Sequence, residues 1–399
     1  MFQKLVSRND DLERLVEKGY AVGFDDGYLV VRDIPYLDAA RQLRWGAIVT
    51  KLVFIDNERV QQDDHQIFFA GDTPHDLNGA AIANLGGGPA ALSLGEGFED
   101  VVVQRSFSNK PIPEGKFIDF FAKIESYVAI IAGPAIEAHG VTPLSYRVDK
   151  TDRGNPIFKF HDTLTSRAEI GDLSARLKDD VVAVIGLGGT GGYLLDFLVK
   201  TPVREIRGFD LDVFHVHNAY RSPGRLDPAE LDKTKAEVYR DRYDNFRTGL
   251  TIEPKYIDAT SADELDGVTF AFVCVDKGPS RAAIFDILID LGIPFIDVGL
   301  GLNRKHGPLN GMLRSTYYSR ERAAQTRAEG HAELSEQPDA LYHKNVQICE
   351  LNALNASLAI IKFKQLRGFY LEGGSFYHLL FEIVDMKIVT QADTDDVQT

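Results

Sequence analysis

The sequence predicts an α/β fold, a doubly wound, Rossmann-like, mostly parallel sheet, with a separate N-terminal α+β domain before it. Three observations lead there. The run Val181-Val182-Ala183-Val184-Ile185 is apolar at every position, which suits a strand buried on both faces. The loop after it, Gly186-Leu187-Gly188-Gly189-Thr190-Gly191, has the glycines that let backbone amides approach phosphate oxygens at the start of a helix, here expected over 192–200. Strand and helix patterns then alternate, with strands over 206–210, 251–257, 270–275 and 294–298 and helices over 228–243 and 280–291.

The first part of the chain reads differently. A charged helix over 10–18 precedes a hairpin, 20–24 and 28–31, around the turn signal Asp25-Asp26-Gly27. Strands over 47–55, 66–69 and 101–107 and an amphipathic helix over 116–138 complete an α+β pattern without an internal repeat. The polar stretch 149–156 reads as a linker, so the expected parts are an N-terminal domain over 1–150, a nucleotide-binding domain over 160–390 and an acidic tail over 391–399. In the first part His65, Asp72 and His75 are candidates for a metal or substrate, against ordinary turn chemistry. Late in the chain, the polar segment 303–338 reads as one that stays mobile until a partner's tail threads beneath it. A helix over 341–366 and a strand over 379–389 follow it.

The chemistry lies between the strands. The strand 206–210 ends on Asp210, 19 residues after Gly191, about where a ribose-binding acid belongs. Glycine loop and acid alone fit a nicotinamide-dependent oxidoreductase equally well. What separates the readings is the polar set that follows: Asp212, Asn218, Arg221, Lys233 and Lys235. Hydride transfer has no need of such groups, whereas cations just beyond the ribose acid suit a triphosphate and the charge on departing pyrophosphate. Asp276 ends the strand 270–275 at what would be the ligand edge of a parallel sheet, a natural Mg²⁺ ligand beside polyphosphate.

Over residues 167–370 these features resemble the ThiF/MoeB/ubiquitin-activating enzyme superfamily. The resemblance implies adenylation, with ATP and Mg²⁺, of the C-terminal glycine of a ubiquitin-like or sulfur-carrier-like protein. It assigns phosphate binding to Gly186, Gly188, Gly189 and Gly191, the ribose to Asp210 with Asp212 beside it, the Asn-x-x-Arg element to Asn218 and Arg221, the phosphate lysine to Lys235 with Lys233 as competitor, and magnesium to Asp276. Ser222 stands where the family usually has Gln. The family is commonly a two-fold dimer in which an arginine reaches the neighbouring ATP site, and Arg167 is the match, against a solvated arginine. The N-terminal part resembles an uncharacterised extension of some bacterial ThiF-type proteins. Relatives of that architecture tend to sit in ubiquitin-like conjugation operons, some linked to phage defence, which adds a conjugating enzyme to the implied partners.

Composition bounds these readings. A formal net charge of −15 on 399 residues argues against nucleic acid as the main partner. The absence of a spanning apolar run or a signal-peptide core predicts a cytoplasmic chain without a membrane partner. His215 and His217 stand two apart without a third ligand nearby, so packing or surface roles are favoured over metal. There are two cysteines and no CxxC pair, so structural zinc is not expected. Cys274 suits a buried strand, and Cys349 opens a helix with apolar spacing. A thioester-forming relative carries its cysteine on the segment matching 303–343, which has none here. Either Cys349 takes that role or the reaction stops at the acyl-adenylate. An oxidoreductase and a nucleotide-binding scaffold remain the alternatives.

Overall fold

Alternate side chains of Val181–Ile185 fall into two different cores: Val182 and Val184 into one, Val181, Ala183 and Ile185 into the other. This is why a strand in the middle of the sheet is apolar throughout. The structure, a computed structural model, describes residues 2–25, 27–56, 58–83, 85–111, 113, 115–148, 157–160, 162–168, 170–304, 307–335 and 346–392. The expected linker 149–156 lies outside them. The chain packs as two units, Met1–Ile170 and Gly171–Thr399.

In the first unit, helices α1 (Phe2–Arg8) and α2 (Asp10–Lys18) precede strands β1 (Ala21–Asp25), β2 (Tyr28–Leu37), β3 (Leu43–Phe54), β4 (Val60–Gln62), β5 (Ile67–Ala70), β6 (Gly88–Pro89) and β7 (Arg105–Phe107), and then helix α3 (Phe120–His139). The β1–β2 hairpin closes with Asp25 opposite Tyr28; its turn residue 26 lies outside the described residues. Among the described residues the strands form one antiparallel sheet ordered β1-β2-β3-β5-β7-β6, with β4 on β3. Leu12, Leu15 and Val16 of α2 join Ile124, Tyr127 and Ile131 of α3 in its core. Asp119 caps α3 by accepting from the Ala122 amide at 2.6 Å. Lys123 is enclosed beneath, donating to Thr50 Oγ1 at 2.7 Å and the Asp64 carbonyl at 2.8 Å, and burial lowers its ammonium to about 8. Short helix α4 (Thr163–Arg167) ends the unit.

The second unit runs α5 (Gly171–Ala175), β8 (Val181–Ile185), α6 (Gly189–Val199), β9 (Glu205–Phe209), α7 (Val216–Ala219), α8 (Lys235–Tyr243), β10 (Leu250–Glu253), β11 (Phe270–Val273), α9 (Gly278–Asp290), β12 (Phe295–Asn303), β13 (Asn310–Tyr318), α10 (Ala323–Ala328), α11 (Cys349–Leu366), β14 (Phe376–Glu382) and β15 (Lys387–Ala392). Its sheet is ordered β10-β9-β8-β11-β12-β13-β14-β15, parallel through β12 and antiparallel beyond it. Helices α6 and α11 cover one face through Leu194, Leu198, Ala356 and Phe363; α9 covers the other through Ile284, Phe285 and Leu288. The doubly wound α/β expectation holds, with an antiparallel extension that it lacked. Among the described residues no helix is long and apolar enough to cross a membrane.

Several boundaries differ from expectation for physical reasons. Helix 228–243 is a 3₁₀ turn, Pro228–Glu230, and a separate α8, because Asp232 takes φ 71° and Thr234 caps the new start by accepting from the Glu237 amide. The segment 303–338 contains β13 and α10 rather than a loop, since Leu313, Ser315 and Tyr318 are buried against neighbouring elements. The strand 379–389 is a hairpin that turns at Met386, φ 50°. Of the helix expected over 341–366, residues 341–345 lie outside the described residues and α11 begins at Cys349. β15 takes in Gln391 and Ala392, and the rest of the expected tail is also outside the described residues.

Candidate active site

At the C-terminal ends of β8, β9, β11 and β12 lies a cavity of about 1000 Å³. That is the edge where open parallel sheets hold their ligands. Its floor is the glycine loop. Gly186 has φ 93°, and a Cβ there would come within 2.9 Å of the Cys274 backbone, so the chain turns sharply out of β8 only with glycine. Gly191 lies against the same turn: a Cβ would meet the Gly186 carbonyl oxygen at 1.8 Å, and its absence lets α6 pack onto the strand end. Helix α6 therefore starts at Gly189, three residues earlier than expected, with Gly188 at its cap and nothing within 4 Å of where a Gly188 Cβ would be. Gly186, Gly188 and Gly189 line the cavity, whereas Gly191 supports the loop from behind.

Asp210 follows β9 and is 7% exposed. It accepts from the Leu187 amide at 2.7 Å and the Asp212 amide at 2.9 Å, which fixes the glycine loop to the next strand. Lys235, the first residue of α8, reaches Asp210 at 3.5 Å and Asp212 at 2.8 Å. Burial pushes the Asp210 carboxyl above the usual range, against the pull of Lys235 and the two amides. At Asp212 burial works in the same direction but is outweighed by Lys235, by the Tyr256 hydroxyl at 2.8 Å and by Lys277, and the carboxyl sits below its usual range.

Arg221 lines the cavity with its Nε enclosed and, among the described residues, without a hydrogen-bond partner. Burial lowers its guanidinium from the ordinary value; Asp276, Asp210 and Asp212 act in the other direction. Asp276 follows β11 as an exposed carboxylate on the cavity wall, just before α9.

The remaining expected residues stand elsewhere. Asn218 is 4% exposed, and its side-chain oxygen accepts from the His215 amide at 2.8 Å, so it holds α7 rather than facing the cavity. Ser222 returns its hydroxyl to the Asn218 carbonyl at 2.6 Å. Lys233 is turned to Asp241 at 2.9 Å, outside the cavity wall. Arg167 ends α4, and its side chain lies outside the described residues. Cys349 Sγ is 2.8 Å from the Tyr193 hydroxyl at the start of α11, and burial raises the Cys274 thiol far above its usual value. His65 pairs with Ser108 Oγ at 2.9 Å; among the described residues no three or more His, Cys, Asp or Glu side chains are grouped to hold a metal ion, and His65, Asp72 and His75 do not converge on one.

The sequence reading missed Asn352 and the group Arg281, Asp297 and Arg314. Asn352 of α11 lies against Gly189, accepts from Thr190 Oγ1 at 3.0 Å and donates to the Arg221 carbonyl at 3.2 Å. The signal for it was a pair of asparagines three apart, Asn352 and Asn355, on the face of a helix that is otherwise apolar; both are buried. Arg281 and Arg314 flank Asp297, which is fully buried. No local sequence pattern marks them, because they meet only through the sheet.

Residues 165–323 match the ThiF family, and residues 10–163 match a domain of unknown function, DUF6791. The ubiquitin-like modifier-activating enzyme 5 of Culex quinquefasciatus is 26% identical over 147 residues, 33% of this chain and 36% of that protein. The chain thus spans about a third of the length of the curated relative it matches. Among solved structures, PaaA has 16% identity and a TM-score of 0.40, covering 55% of this chain and 75% of its own. Escherichia coli MccB with succinimide has 15% identity and a TM-score of 0.42, covering 55% and 66%. The same enzyme with ATP has 14% identity and a TM-score of 0.39, covering 55% and 65%.

Proposed function

We propose that this chain, whose residues 165–323 form a ThiF-family domain, activates a partner protein's carboxylate by adenylation with MgATP. The observation that carries the reading is Arg221. A guanidinium whose enclosed Nε has no hydrogen-bond partner among the described residues is costly, and it stands in one cavity with the glycine loop, Asp210, Lys235 and Asp276. An anionic ligand would complete it.

The loop amides and the start of α6 would take the α-phosphate, and Asp210, with lone pairs left beside its two amide bonds, the ribose hydroxyls. Lys235 donates to Asp212 at 2.8 Å and stands 3.5 Å from Asp210 as an ion pair, so its ammonium keeps donor capacity for phosphate. The incoming carboxylate oxygen forms a bond to the α-phosphorus while the bond to the bridging oxygen breaks. Pyrophosphate leaves with its charge met by Arg221 and Lys235. Asp276 would hold Mg²⁺, whose contribution is to neutralise phosphate charge.

The carboxylate we propose is the C-terminal glycine of a ubiquitin-like protein, in keeping with the Culex relative's name. A conjugating enzyme would receive the activated product, and a homodimer would supply Arg167 across the interface. The test is exchange of labelled pyrophosphate into ATP. It should require a ubiquitin-like protein with an intact terminal glycine and should vanish in Asp276→Asn. Exchange that survives this change, or tighter binding of NAD(H) than of ATP, would end the adenylating reading.

A further inference from the structure

Beyond the groups assigned above, the cavity continues over β12 and β13, where the second substrate would lie. Arg314 of β13 stands opposite Gly299 of β12. Its Nη2 donates to Asp297, and its Nη1 donates to Thr316 Oγ1 at 3.0 Å. On its other side Asp297 faces Arg281 Nε at 3.1 Å. Two guanidinium groups therefore share one fully buried carboxylate, which leaves one positive charge in surplus. Arg281 turns its other donors to the carbonyls of Glu333, at 2.8 Å, and Val275, so the surplus is presented to the cavity by Arg314.

The surroundings leave room for a ligand there. A Cβ on Gly299 would come within 2.9 Å of Arg314 Nη2, and nothing lies within 4 Å of a Gly301 Cβ, so β12 offers bare backbone beside the guanidinium. Glu333, the acid on the neighbouring wall, has Oε1 taken by the Ser335 amide at 3.0 Å. Arg314 lies three strands from β8 in the order β8-β11-β12-β13. At about 4.8 Å per strand it is roughly 14 Å from the glycine loop, about four residues of extended chain at roughly 3.3 Å each.

We infer that Arg314 reads an acidic side chain on the partner's tail, about four residues before the carboxylate that is activated. This rests on the adenylating reading. The side-chain carboxylate completes the charge balance of Arg281, Asp297 and Arg314, and a tail with a neutral residue at that place leaves the surplus unmet.

The experiment uses the full chain with ATP bound and synthetic eight-residue peptides ending in glycine. Each carries one glutamate, or glutamine as its isostere, at the third to sixth place from the end; affinity is read by fluorescence anisotropy. We expect one position, near the fourth or fifth, where glutamate binds about tenfold tighter than glutamine. The preference should vanish in Arg314→Gln and shrink in Arg314→Lys, with ATP binding as the check that each protein is folded. Equal affinities at every position in the wild-type chain, or a preference that persists in Arg314→Gln, would overturn the role of Arg314 alone. Failure of the wild-type chain to bind ATP would instead remove the adenylating reading beneath it.

Discussion

The two edges of the large sheet treat buried charge in opposite ways. At the edge where the parallel strands begin, Asp180 receives Arg367 through Nε at 2.9 Å and Nη2 at 2.8 Å, with the Thr269 hydroxyl at 2.7 Å. Nearby, Arg247 is 1% exposed and has no carboxylate partner among the described residues, yet it donates to the carbonyls of Thr248 at 2.8 Å, Thr201 at 3.0 Å and Val203. Burial lowers its guanidinium to about 10. At the edge where the strands end, burial also lowers Arg221, but its Nε is left without a partner among the described residues. One arginine is completed by the fold; the other has an enclosed donor that the described residues do not satisfy. Burial alone does not mark a functional cation; an enclosed donor left open beside a cavity is the sharper sign.

Substitutions at the two arginines should separate these roles. Arg221→Ala should lower pyrophosphate exchange by about 10²- to 10³-fold with a nearly unchanged urea midpoint. Arg247→Ala should cost about 3 kcal/mol of stability, since several buried carbonyls lose their donor, while the folded protein still binds ATP. If Arg221→Ala unfolds the protein instead, the contrast between the edges is wrong.

Acid should act on stability through His378 of β14, which is 8% exposed and faces Thr316 Oγ1 at 2.9 Å, the stacked ring of His331, and Arg314. Burial first, then His331 and Arg314, hold it near 4, with Glu329 opposing, so the folded chain refuses a proton that the unfolded chain accepts below 6.5. Stability is therefore full above pH 6.5 and falls as pH drops toward 4, by about 3 kcal/mol at most. Urea midpoints across that range should show the slope, and His378→Gln should flatten it.

Smaller effects sharpen the picture of assembly and transfer. Mixing Arg167→Ala with Asp276→Asn protein should restore about a quarter of wild-type exchange if two subunits share each site, because half of the dimers are mixed and each carries one intact site. Unrestored exchange would remove the shared site. Cys349→Ser should change exchange and transfer least, since the thiol contacts Tyr193. A thiol-sensitive adduct with the partner, lost in Cys349→Ser, would overturn that.

The parallel half of the fold was legible because its signals are local. A strand buried on both faces is apolar at each position, and a glycine loop announces itself within six residues. Asp210, Arg221, Lys235 and Asp276 could be chosen from spacing, and the cavity brings them together. Asn218 and Lys233 were chosen on the same grounds, yet one holds its own helix and the other pairs with Asp241, a choice that spacing cannot make. Of the antiparallel extension only a late strand over 379–389 was legible, and β13 was not. β13 is half polar because Arg314 pairs with a buried carboxylate on β12 and Thr316 accepts from Arg314, so its sequence looks like that of a loop.

The contact between Gly189 and Asn352 sets an order on protein synthesis. A Cβ at Gly189 would fall 2.1 Å from the Asn352 amide nitrogen, and that amide also ties Thr190 and Arg221 together. A nascent chain emerging from the ribosome has the whole glycine loop and every cation of the candidate nucleotide site more than a hundred residues before α11 appears. Until then the loop is tied to β9 through Asp210 but lacks the Asn352 contact. On the adenylating reading, the unfinished polypeptide would hold a nucleotide less firmly, and full competence would arrive with α11.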